Sequence, residues 1–141
     1  KKSRLTQKAG FNLLHKKKWV GDHRILHGEI KEKDVVMESG WEENFFIISL
    51  KNQTIPHFVP TADNGDPRLY LYIKFFNEAG EEVDNAKEII APQQETALPY
   101  NKKMRYRYRL FDKIIKAEVE LKYQPAWSKE KSTVRTETVL R

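Results

Sequence analysis

Hydrophobic and polar residues alternate with a period of two along most of this chain, from about residue 30 onward. In the clearest stretch, KAEVELKY (116 to 123), charged residues occupy one face. The other face holds Ala117, Val119, Leu121 and Tyr123. RLYLYIKFF (68 to 76) and MRYRYRLF (104 to 111) alternate in a similar way. Because successive side chains of a strand point to opposite faces, the pattern predicts half-buried β-strands.

Turn residues separate these strands at short intervals, as in NEAGEE (77 to 82), where Gly80 is expected to take a positive φ. We predict about seven strands, near 29 to 38, 44 to 52, 68 to 76, 86 to 91, 103 to 111, 114 to 124 and 132 to 140. This count and spacing predict a mainly all-β fold, an antiparallel immunoglobulin-like β-sandwich of two sheets.

The N-terminal part follows a different pattern. In SRLTQKAGFNLLHKKKW (3 to 19) apolar residues recur at helical spacing, which predicts a short amphipathic helix. We therefore divide the chain into a basic N-terminal arm with a short helix, residues 1–30, and a β-sandwich domain, residues 31–141.

Charge follows nearly the same division, because residues 1 to 33 carry ten Lys or Arg against three Asp or Glu. The candidate partner-binding residues of this arm are Lys16, Lys17, Lys18 and Arg24. Such a segment suits an acidic surface, a membrane face or nucleic acid, and the alternative is a solvated tail.

Composition limits the chemistry. The absence of Cys excludes disulfides, thiolate metal sites and a covalently attached c-type haem in this chain. The sequence has no apolar run of about 18 residues, so we expect no membrane-spanning helix. The chain begins at Lys1, and we expect it to be a mature, processed or excised piece of a longer protein. It contains no nucleophile elbow, P-loop, dinucleotide-binding or zinc-protease motif, so we predict that it is not an enzyme.

Four histidines are the candidate site residues: His15, His23, His27 and His57. On a helix, His23 and His27 would share a face and could bind one metal, but the surrounding sequence does not complete a ligand shell. His57 lies between two prolines in PHFVPT (56 to 61), immediately before a predicted strand.

Several motifs together resemble the C-terminal β-sandwich region of multihaem c-type cytochromes. They are HRILHG (23 to 28), PHFVPT (56 to 61), RLYLYIKFFNEAGEEV (68 to 83) and IKAEVELKYQP (115 to 125), in that order. The sequence departs from the family pattern at Ile55-Pro56, where Ala-Gly is common, at Ala62, where Gly follows Pro-Thr, and at Gly28-Glu29, where two glycines are usual.

The resemblance implies a non-catalytic domain or subunit that packs on a haem-bearing cytochrome segment and supports electron transfer in the periplasm or outside a bacterial or archaeal cell. It also implies that His23 and His57 are candidate distal ligands of a haem c carried by another segment or chain, with His15 and His27 as weaker candidates. For His57 the alternative is a structural role, in which it holds its own loop through hydrogen bonds.

Two other functions remain open. A stand-alone module could bind a glycan, peptide or protein through an aromatic face of Tyr70, Tyr72, Trp41 and Trp127, although strand alternation favours partly buried tyrosines. The second is nucleic-acid binding through the basic N-terminal arm, which predicts an affinity that falls steeply with salt. The stretch MRYRYRLF is disfavoured for this role, because alternation places its arginines and tyrosines on opposite faces.

Overall fold

The computed structural model describes residues 30–61, 66–111, 113–126 and 128–141, and two short N-terminal strands, β1 (Lys2–Ser3) and β2 (Lys18–Trp19). β1 and β2 pair antiparallel, with Lys2 opposite Trp19. These residues lie at or beside the ends of the predicted helix and are extended. The residues between them lie outside the described part of the chain.

Seven longer strands follow: β3 (Val35–Glu42), β4 (Phe45–Asn52), β5 (Arg68–Asn77), β6 (Glu82–Ile90), β7 (Lys103–Arg109), β8 (Ile114–Gln124) and β9 (Ser132–Leu140). One sheet has the order β3-β4-β7 and the other has the order β6-β5-β8-β9, with all neighbours antiparallel. The prediction of an all-β, two-sheet antiparallel fold is confirmed.

The strand order is immunoglobulin-like with one difference. After β5 and β6, which lie in the four-stranded sheet, the chain crosses back to the three-stranded sheet, where β7 pairs with β4. Such a crossover between sheets is typical of immunoglobulin-like sandwiches. In constant-type immunoglobulin domains the fourth strand lies in the same sheet as the first two. Here the fourth strand of the sandwich, β6, pairs with β5 instead. The three-stranded sheet consequently ends at β7.

The core lies between the two sheets and is formed by the inward positions of each strand. The largest side chains with less than 2% exposure are Phe46, Phe75, Ile48, Leu50, Leu69, Leu71, Ile73, Ile90, Leu98 and Leu121. Phe46 and Phe75 meet edge to face at 5.5 Å between ring centroids, and Trp41 packs on Phe46 at 4.8 Å. Because these rings come from both sheets, they join the two layers.

Two strands, β3 and β6, differ from the predicted bounds by more than about two residues, and β3 also ends later than predicted, at Glu42 instead of 38. β3 begins only at Val35, because Lys31 to Asp34 form a turn in which the Lys31 N–H donates to the Asp34 carboxylate at 2.8 Å. β6 starts earlier than predicted, at Glu82, and most of its first residues are exposed, so no apolar alternation marks them. The preceding hairpin has Gly80 at φ 78°, as predicted.

Candidate functional site

A buried asparagine holds the loop that carries His57. Asn52, at the end of β4, has 0% exposure, and its side chain makes three hydrogen bonds to loop backbone. Its Nδ2 donates to the Ile55 carbonyl at 2.9 Å and to the His57 carbonyl at 2.6 Å. Its Oδ1 accepts from the Ile55 N–H at 3.1 Å. The side-chain amide of Asn52 thus both donates to and accepts from backbone groups of the loop, and these hydrogen bonds fix the loop backbone.

The imidazole of His57 has one nitrogen engaged by its own loop. Nδ1 lies 2.9 Å from the Phe58 carbonyl oxygen and 2.7 Å from the Thr61 hydroxyl oxygen. The Thr61 hydroxyl donates its proton to the same Phe58 carbonyl. Because a carbonyl oxygen can only accept, Nδ1 carries a proton, and in the neutral tautomer the lone pair then lies on Nε2.

His57 Nε2 has no hydrogen-bond partner among the described residues, and His57 is exposed. A neutral imidazole whose Nδ1–H is held by a carbonyl and whose Nε2 is accessible has the arrangement usual for a histidine metal ligand. The loop-holding role predicted as the alternative is thus observed at Nδ1. That role leaves Nε2 available for a ligand role.

Two exposed aromatic residues lie on neighbouring loops, one on the His57 loop and one on the loop that precedes β7. Phe58 is 58% exposed and Tyr100 is 51% exposed. Tyr100 forms an isolated bridge with Asn52, and Val59 forms another with Leu98. Since Phe58 follows His57 directly, both aromatic residues belong to segments anchored near the same asparagine. The surface at this end of the sandwich combines an imidazole with apolar rings.

The other proposed site residues cannot be placed beside His57. His15, His23, His27, Lys16, Lys17 and Arg24 lie outside the described residues. Lys18 lies in β2, where only the backbone is described. Within the described ranges, no three His, Asp or Glu residues come together as a potential metal site. Of the four predicted histidine ligands, His57 is the one that lies within the described residues.

The arginines and tyrosines of β7 point to opposite faces, as predicted. Arg105, Arg107 and Arg109 are exposed on the outer face, whereas Tyr106 and Tyr108 are half-buried toward the core. Burial raises the pKa of Tyr106 to about 12, with the Glu88 carboxylate as a second cause. Basic and aromatic groups of β7 therefore cannot form one stacking surface for nucleic-acid bases.

The aromatic face considered for a glycan or peptide is not assembled in the described part of the chain. Tyr70 and Tyr72 stack on the outer face of β5 at 6.0 Å, but Tyr70 is only 7% exposed. Lys131 covers the pair, with its Nζ 3.8 Å from the centre of the Tyr70 ring. Trp41 packs against the core on the other sheet. Trp127 lies outside the described residues.

Sequence reasoning missed Asn52 and Lys131. The period of two along β4 places position 52 on the same inward face as Phe46, Ile48 and Leu50, and an asparagine at such a position was the available signal. The approach of Lys131 to the tyrosines depends on how the β8–β9 loop folds back, and local pattern carries no information on that.

No helix long and apolar enough to cross a membrane occurs in the part of the chain that the structure describes.

Comparison with known proteins identifies a structural relative. A penta-heme cytochrome c552 from Thermochromatium tepidum is similar in structure, with a TM-score of 0.60 and 13% sequence identity. The similarity covers 78% of this chain and 40% of that chain, so this chain spans less than half the length of that structure. No protein-family model and no curated protein matches the sequence. At this identity the likeness shows a shared fold.

Proposed function

We propose that this chain is a non-catalytic β-sandwich domain or subunit of a multihaem c-type cytochrome and supports electron transfer by packing on the haem-bearing part. The observation that carries the proposal is the fold shared with a penta-heme cytochrome over 78% of this chain. The sequence motifs around His57 and along β5 and β8 support the same assignment.

The haem would belong to another segment or chain, because this chain has no Cys for covalent attachment. When bound, haem iron supplies the one-electron chemistry. His57 is the residue of this chain best prepared to provide a distal ligand, since Nδ1–H is held by the Phe58 carbonyl at 2.9 Å and Nε2 is accessible. Asn52 positions that loop and is a positioning residue.

The charge of the N-terminal arm and the expected compartment are consistent with this role. The net charge of +6 is concentrated toward the N-terminus, which suits docking on an acidic protein surface. A protein that works beside haem c would operate in the periplasm or outside the cell. We assign no turnover to this chain itself, and its contribution is structural and electrostatic.

The first test is intact mass and visible absorption of the protein purified from its source without a refolding step. We expect a Soret band in the preparation and a larger haem-bearing chain or segment that accompanies this one. A colourless, monomeric protein would contradict the proposal.

A second test locates the ligand with a defined probe, a ferric haem c peptide that has one histidine ligand and an open distal position. We expect the full chain to convert the probe to a low-spin spectrum and the His57→Ala variant to lose this effect. The matched control replaces His15, His23 and His27 together by Ala and should retain it. If His57→Ala behaves like the unmodified chain, His57 is not the ligand.

A further inference from the structure

β7 is the edge strand of the three-stranded sheet, and no strand pairs with its outer side within the described residues. The direction of its backbone groups follows from the β3–β4 hairpin. Glu42 and Phe45 flank a two-residue connection and pair directly, so odd-numbered residues of β4 bond to β3. The Gln53 N–H agrees, since it donates to the Asp34 carbonyl at 2.8 Å.

The same alternation fixes which groups of β7 are open. Even-numbered residues of β4 bond to β7, and Tyr106 lies opposite Ile48. Tyr106 and Tyr108 therefore direct their backbone N–H and C=O groups toward β4, as does Leu110, whose N–H donates to the Asn44 carbonyl at 3.1 Å. It follows that Arg105, Arg107 and Arg109 direct theirs toward the open edge.

The side chains of these arginines add charge to the same edge. Arg105 pairs with Glu42 at 2.6 Å across β4, and Lys103 pairs with Glu38 at 2.5 Å. Arg107 and Arg109 have no carboxylate partner among the described residues. Two adjacent outward positions of β7 thus carry positive charge that the described part of the chain does not neutralise.

Both of these arginines are oriented by aromatic rings. The Arg107 guanidinium lies 3.5 Å from the centre of the Phe45 ring, and that of Arg109 lies 5.1 Å from the centre of the Phe111 ring. Phe111 is 83% exposed. Stacked guanidinium groups lose less conformational freedom on binding, and exposed aromatic and arginine side chains are enriched among residues that contribute most to binding.

The inward side of the open edge is formed by one aliphatic and two aromatic side chains, and a charged group lies beside them, the Glu88 carboxylate, which accepts from the Tyr108 hydroxyl at 3.0 Å. Met104, Tyr106 and Tyr108 are half-buried there, packed against the core but incompletely covered. The side chains of a strand added at this edge would alternate between two positions. One set would lie against Met104, Tyr106 and Tyr108, and the other set would lie on the outer face beside the arginines.

We propose that the open edge of β7 binds an extended acidic segment of a partner protein as an added antiparallel strand. The segment would carry carboxylates at alternate positions, two of them opposite Arg107 and Arg109, and apolar residues between them against the tyrosines. Backbone hydrogen bonds would hold the added strand against β7. Ion pairs between the two strands would select an acidic segment over a neutral or basic one.

A second copy of β7 does not fit this site. Antiparallel pairing of two β7 strands would place arginines beside arginines, and like charges directly opposite are destabilising. The charges therefore disfavour self-pairing at the edge while they favour an acidic strand.

The test uses the full chain and a fluorescent peptide in which Glu and Val alternate over nine residues, with binding followed by anisotropy at low salt. We expect saturable binding, with slowed amide exchange at Arg107 and Arg109 and little change at Tyr106 and Tyr108. A peptide N-methylated at the residues that pair with β7 keeps its charge but cannot form the ladder, and it should not bind.

The variant Arg107→Glu/Arg109→Glu should weaken the alternating peptide about tenfold or more and should gain binding of a matching Lys-Val peptide. The control is Lys33→Glu/Lys129→Glu, which makes the same charge change at two exposed residues outside β7 and should leave affinity within about twofold.

Three results would overturn the proposal. They are no binding of the alternating peptide, equal binding of the N-methylated peptide, and an equal loss in both variants. The second and third would mean that charge alone attracts the peptide. All variants are checked for folding by thermal unfolding before their affinities are compared.

Discussion

The Tyr108 hydroxyl on β7 donates a hydrogen bond to the Glu88 carboxylate on β6 at 3.0 Å and so connects the two sheets on their open side. No other strand of the described residues lies outside these two on that side of the sandwich. Burial and the nearby carboxylate raise the pKa of Tyr108, so the phenol remains a donor. The contact bridges the two sheets at the half-exposed side of the core.

Tyr108→Phe should lower the free energy of unfolding by about 1–2 kcal/mol, because Glu88 loses a donor in a partly buried position. The measurement is urea denaturation followed by far-ultraviolet circular dichroism. Tyr100→Phe is the matched control, since the Tyr100 side chain makes no hydrogen bond within the described residues, and it should change stability little. Equal effects of the two substitutions would contradict the role given to the contact.

Alkaline pH should destabilise the fold through Tyr106. Burial, followed by the Glu88 carboxylate, raises its pKa from 10.0 to about 12 in the folded state. The stabilising contribution of the protonated Tyr106 to the free energy of unfolding is therefore complete below pH 10.0, and it is lost as pH rises through about 12. The midpoint of urea denaturation should be lower at about pH 11.5 than at about pH 9. In Tyr106→Phe this fall should be smaller, and an unchanged pH dependence would contradict the assignment.

Asn52→Ala should lower the free energy of unfolding by about 3 kcal/mol, because it leaves two carbonyls and one N–H of the loop without their partner. Asn52→Asp should also destabilise, since it keeps the acceptor for Ile55 but places a carboxylate oxygen near the two carbonyls. Nuclear magnetic resonance signals of the His57 ring should shift in both variants. Asn85→Ala, at an exposed position of β6, is the control and should move neither property.

Phe75→Ala should lower the free energy of unfolding by about 3–5 kcal/mol, because it opens a cavity beside Phe46 and Trp41 at the junction of the sheets. Phe111→Ala removes the same type of ring from an 83% exposed position and should change stability by less than about 0.5 kcal/mol. Chemical denaturation of the two variants, measured under the same conditions, compares their free energies of unfolding. Similar losses in both would contradict the role given to Phe75 in the core.

The periodicity of the sequence was sufficient for the architecture wherever one strand face is apolar and the other polar. β8 shows this, since Ala117, Val119, Leu121 and Tyr123 are all buried as predicted. β6 shows the limit, because an exposed edge strand needs no apolar face and its start gives little signal.

The candidate site was less accessible from sequence. The position of His57 between two prolines was visible, but the roles of its two nitrogens depend on Phe58 and Thr61 folding back on the ring. The anchoring by Asn52 and the cover that Lys131 forms over Tyr70 arise from contacts that no local pattern encodes.

The Ser39–Glu137 hydrogen bond, 2.5 Å long, joins β3 to β9 across 98 positions of the chain. Closing the intervening chain costs entropy before this contact can stabilise the fold, so we expect the contact to form late in folding. Until β9 is synthesised, β8 has an unpaired side and its buried residues lack part of their cover. We therefore expect the sandwich to complete folding only after the ribosome has made the last strand, so that the nascent chain needs protection from aggregation.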